Sequence, residues 1–78
     1  MTKGFEKLDR LIKEAIRDEN EAIKFYKEIE KEIGWLVRVY HDAGDMIFKQ
    51  NMIEFLKEIY AIRCEEESHY NFLKRIRF

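Results

Sequence analysis

Glu19, Glu66 and His69 are the residues of this 78-residue chain whose types and spacing can do chemistry. Glu66 and His69 stand three apart, so on a helix both point from one face toward one spot. Carboxylate oxygens joined by an imidazole suit iron or manganese, and zinc less distinctively. Their surroundings single them out. Alternating steps of three and four from Phe5 to Tyr40 meet ten apolar or aromatic side chains and one exception, Glu19. The same stepping from Phe48 to Ile76 meets seven apolar side chains and two exceptions, Glu66 and His69. Such rows are the core-facing seams of bundled helices. A carboxylate placed in one is expensive unless it is paired, protonated or bound to a metal.

Two long helices must position these groups. Gly4, Gly34 and Gly44 are the only glycines, and there is no proline. His41-Asp42-Ala43-Gly44-Asp45 supplies a helix stop, a glycine and two possible N-cap aspartates, which predicts a turn over 41–45. Helix one then spans about 5–33 if Gly34 ends it, or about 5–41 if the helix runs through. Helix two spans about 45–77. Glu19 lies 23 residues before Asp42, and His69 lies 24 after Asp45. At 1.5 Å per residue both legs are about 35 Å long, so a chain reversal brings the three groups to one height. The expected fold is all-α: residues 1–78 form one antiparallel hairpin.

One hairpin is not enough. It offers two carboxylates and one imidazole, too few for a well-held pair of metal ions, and it leaves half of each apolar face wet. Two hairpins packed as a four-helix bundle bury the seams and double the ligand set to four glutamates and two histidines. Two divalent ions there would offset the repulsion among four carboxylates. A homodimer is therefore the smallest expected assembly. Apolar residues outside the seams, among them Ile16, Ile23, Phe25, Ile53, Leu56, Tyr60, Tyr70 and Phe72, either widen the core faces or serve contacts between dimers.

Composition removes other classes. Fifteen Lys and Arg against 16 Asp and Glu give a net charge of −1, with no basic excess for phosphate contacts, so a nucleic-acid module is not expected. A single cysteine excludes an internal disulfide framework. The longest run free of Asp, Glu, Lys, Arg and His, residues 33–37, is too short to cross a bilayer, and no signal-peptide pattern opens the sequence. The expectation is a cytoplasmic protein with no nucleic-acid or membrane partner.

Two segments carry a family resemblance. Glu19-Asn20-Glu21-Ala22-Ile23-Lys24-Phe25-Tyr26 resembles the E-x-x-A-x-x-x-Y stretch of rubrerythrin and related ferritin-like proteins, and Glu66-Glu67-Ser68-His69 is similar to their E-x-x-H stretch. The resemblance implies a ferritin-like four-helix bundle with Glu19, Glu66 and His69 as metal ligands. It assigns Tyr26 a hydrogen-bonding place beside the centre. Because the hairpin is similar to half of a ferritin-like bundle, as in encapsulated ferritins, the site would be completed between two chains. It would hold two Fe ions per dimer, with Mn or Zn as substitutes. Glu66 takes the bridging role, Glu19 a terminal one, and each His69 holds one ion. The implied activity is oxidation of Fe(II) by dioxygen or peroxide, serving iron handling or peroxide removal. The same resemblance adds the interior of a protein nanocompartment as a location. Two departures stand out: residues 34–48 have no counterpart in compact members, and no rubredoxin-like Cys pairs are present. The competing expectation is a dimeric helical module, metal-free or structurally metallated, without turnover.

The remaining polar residues read more plainly. Cys64 is expected to be an inert buried or boundary thiol. His41, Asp42 and Asp45 belong to the turn. Glu65 and Glu67 point into solvent.

Overall fold

The computed structural model describes residues 5–76. Two helices make up the fold: α1, Glu6–Asp42, and α2, Met46–Lys74. α1 runs straight through Gly34, whose missing side chain would meet nothing within 4 Å. A glycine in a helix interior costs about 1 kcal/mol relative to alanine, too little to break a helix held by its neighbours on one face.

The reversal is local chemistry. Gly44 adopts φ +75°, the left-handed conformation that follows a helix end. Gly44 N–H donates to the His41 carbonyl at 3.1 Å and Asp45 N–H to the Tyr40 carbonyl at 2.9 Å, so two of α1's orphan carbonyls are satisfied. Asp45 then caps α2 by accepting from Phe48 N–H at 3.2 Å. His41 is held in the turn by Lys49, whose Nζ lies 3.0 Å from Nδ1.

The helices pack along most of their length, giving a rod of 63 × 14 × 12 Å. Its radius of gyration is 18.2 Å, against about 11.5 Å for a compact domain of this length. Only Ile23, Ile33 and Ile59 are buried hydrophobics among the described residues. Ile33→Ala is therefore expected to destabilise the hairpin by roughly 2–4 kcal/mol, read as a lower urea midpoint.

The contact between helices is wider than the seam of the sequence: it buries the seam residues Ile33 and Ile59 and also takes in positions beside the seam. α1 turns Ile16, Ile23, Glu30 and Val37 toward α2, and α2 answers with Ile53, Leu56, Arg63 and Tyr70; all are at least half-buried. Leu8, Ile29, Phe48, Phe55 and Ile62, all seam positions, remain exposed. Each apolar stripe is wide enough for two neighbours, and one hairpin supplies one. The accessible surface is 6263 Å², where a compact protein of 9.6 kDa exposes about 5,100 Å². The difference, about 1,200 Å², exceeds the roughly 800 Å² that one partner contributes to a standard protein–protein interface. No helix among the described residues is long and apolar enough to cross a membrane.

Candidate metal centre

Glu19 sits midway along α1, on the side that meets α2, and the facing stretch of α2 bears Glu66 and His69. One donor atom from each of the three lies within 4.8 Å of the others. Ligands about 2.1 Å from a shared ion are at most about 4.2 Å apart, so a small side-chain rotation closes this set around one ion. Glu19 and Glu66 are half-buried and His69 is exposed. His69 is thus the member of the cluster open to solvent.

Two observations test the donor set. Oε2 of Glu19 is buried and has no hydrogen-bond partner within the chain. A buried carboxylate oxygen left without a donor is costly, and a cation in reach removes that cost. The Glu19 carboxyl is also pushed above its ordinary range, first by its contact with the Glu66 carboxyl, then by burial and by the Glu66 charge; the His69 ring opposes the shift. Two carboxylates and an imidazole form a hard oxygen-rich set of the kind that suits divalent iron or manganese. The residues fit a metal ion. Three ligands from one chain leave coordination positions for a second chain or for solvent.

Tyr26 lies seven residues from Glu19, about 10 Å along the helix. It is half-buried and makes no hydrogen bond to the cluster. The geometry leaves it beside the site, not in it.

Three charged residues behind the cluster were not legible in advance. Arg63 reaches across to Glu30 on α1 through Nε and, at 3.3 Å, through Nη2, while Nη1 binds Glu67. Its guanidinium also lies 5.0 Å over the Tyr60 ring. Glu67, expected to point into solvent, keeps 39% of its side chain exposed and also pairs with Arg63, which completes an ion-paired triad. Hydrogen bonding to Glu30 above all raises the Arg63 pKa further, so the cation is permanent. Glu30 to Arg63 is the one ion pair joining the two helices among the described residues. Nothing in the sequence flags it, because Glu and Arg are common on both helices and only the packing beside the seam brings this pair together. Arg63→Met would leave two half-buried carboxylates facing each other. A loss of about 1–3 kcal/mol is expected, measurable by chemical unfolding of the metal-free chain.

Cys64 is exposed, not buried, and stands one helical turn from Tyr60. Glu65 is exposed; Asp42, expected in the turn, is the last residue of α1, and Asp45 caps α2. Comparison with protein-family models, with curated proteins and with solved structures found no match, so the cluster's chemistry has to be argued from its own residues.

Proposed function

We propose that two hairpins pack through their uncovered apolar faces into a ferritin-like four-helix bundle and hold two iron ions between them. The observation that carries this reading is a buried carboxylate oxygen without a donor, beside a second carboxylate and an imidazole, on a hairpin that leaves the seam residues Ile29, Phe55 and Ile62 exposed. A second copy brings the ligand set to two Glu19, two Glu66 and two His69. When bound, two ferrous ions would supply electrons to dioxygen or peroxide. The chain's own groups hold the ions and set their environment. Glu19 and Glu66 offset the cationic charge, and His69 contributes a nitrogen ligand from the face nearest the partner. Phe55 and Ile62, on the same stripe as His69, would exclude bulk water once covered.

The proposed activity is Fe(II) oxidation, in iron handling or in peroxide removal. Protein purified without an affinity tag should contain about two irons per dimer. Anaerobic Fe(II) addition followed by air should raise ferric absorbance faster than in the protein-free control. If the rise matches the control, the oxidase activity is wrong and at most a structural metal site is left. If no metal co-purifies and none binds on addition, the chain is a metal-free helical module.

A further inference from the structure

A groove of about 690 Å³, open to solvent along its length, runs between α1 and α2 on the flank that carries Tyr60. Its volume falls in the range of small-molecule clefts. Gly34, Leu56 and the ring of Tyr60, a residue 54% exposed, give it an apolar floor. Gly34 is what opens it. A side chain there would meet nothing within 4 Å, so no contact within the chain asks for glycine, the poorest helix former after proline. In the interior of α1 it leaves bare backbone at the bottom of the groove.

The free charge around this floor has one sign. Lys27, Lys31 and Arg38 line the groove from α1, and Lys57 lines it from α2. Among the described residues the one carboxylate lining it is Glu30, which Arg63 already binds. Lys27, Lys31 and Arg38 take part in no ion pair among those residues, and Lys57 has a single exposed pair, with Glu54 at 3.6 Å. Lys27 and Lys31 stand four apart, a spacing at which like charges repel, whereas a solvated helix face mixes its signs. Cations from two helices that converge on an apolar floor focus their field on whatever lies there.

We propose that this groove binds a planar aromatic dianion, with its ring on Gly34, Leu56 and Tyr60 and its two acid groups held by Lys31 and Arg38. The charge selects an anion, and the shape selects a flat one. Bare backbone at Gly34 lets a ring face come close. An open groove covers one whole face of a flat body, whereas an alkyl chain would stay wet around most of its girth. Tyr60 adds a ring to pack against. Lys31 stands three residues before Gly34 and Arg38 four after it, so the two cations bracket the floor about 10 Å apart along the helix. None of the exposed seam residues Ile29, Phe55 and Ile62 lines the groove, so the site does not depend on the metal reading.

Calorimetric titration of the full chain with 2,6-naphthalenedisulfonate tests this. Three comparison probes separate its parts: 2-naphthol lacks the acids, methanesulfonate lacks the ring, and 1,6-hexanedisulfonate carries both acids on a flexible chain. The naphthalene dianion should bind once per chain, at least about tenfold tighter than each of the others. Gly34→Leu fills the floor with a better helix former, and Lys31→Glu reverses one acid-binding charge. Each should weaken binding at least about tenfold with helix content unchanged. Phe25→Ser, which removes a 71% exposed ring elsewhere on α1, should leave the affinity as it was. Equal affinity for 2-naphthol would mean that any apolar surface suffices, and equal affinity for the hexane dianion would remove the flat body. Either result would overturn the proposal. So would undiminished binding in Gly34→Leu or Lys31→Glu, or lost binding in folded Phe25→Ser.

Discussion

Glu19→Gln is expected to weaken metal binding at the centre severely and, at neutral pH, to stabilise the metal-free chain. The two effects have one cause. In the metal-free fold the Glu19 carboxyl is held above its ordinary range by Glu66 and by burial, so the folded state holds this proton more tightly than the unfolded chain does. A group raised in this way contributes its full stability below the unfolded-state value. That contribution is lost as pH rises through the folded-state value. The metal-free wild type should therefore lose stability as pH climbs from mildly acidic toward neutral. The amide of Gln carries no charge to desolvate and should flatten that slope. With metal the slope reverses, because ligation needs the deprotonated carboxylates and falling pH returns their protons. Loss of an outer partner of a ligand typically weakens binding by about 10–100-fold, so loss of a ligand should weaken it by at least about a hundredfold. Isothermal titration with Fe(II) under anaerobic conditions, and urea midpoints across pH, check both. An unaltered affinity with an unaltered pH slope would mean that Glu19 neither ligates nor feels Glu66.

Loading with metal should change mass and stability together. A ligand that binds only the folded form, free at a thousand times its dissociation constant, stabilises by about 4 kcal/mol. For a domain of this size that corresponds to a rise in melting temperature on the order of 15–30 °C. In the proposed pairing a second chain completes the ligand set, so the same addition should convert smaller species into the metal-bound pair. Scanning calorimetry and light scattering with and without Fe(II) or Mn(II) measure both. Equal melting temperatures would exclude a centre that ties the chains together. A higher melting temperature without a change in mass would place the ion within one hairpin.

The three candidate ligands were legible because a helix is a rigid ruler. With a fixed rise per residue and a turn marked by Gly44, equal leg lengths place Glu19 level with Glu66 and His69, and their donor atoms converge within 4.8 Å. The turn itself was legible because Gly44 and Asp45 each have one strong local role. Gly34 left two readings open, since its local penalty is small and the packing of Ile33 and Val37 on either side decides the matter. The direction in which each stripe faces was less accessible. Periodicity gives a width of about three residues in seven, and the rotation within it depends on which neighbour is present. That is why Ile23 is buried while Ile29 is exposed, and why the Glu30–Arg63–Glu67 triad had no trace in the pattern. The ferritin-like resemblance belongs to the proposal and rests on short segments of α1 and α2.

A rod one helix deep has little interior of its own: Ile23, Ile33 and Ile59 are its buried hydrophobics among the described residues. In the proposed pairing most of the other apolar side chains acquire an inside only on meeting another copy, so much of the native stability arrives with the mate. The rate of that arrival should climb with protein concentration, and a scarce, freshly made chain should be cut by proteases long before an abundant one is.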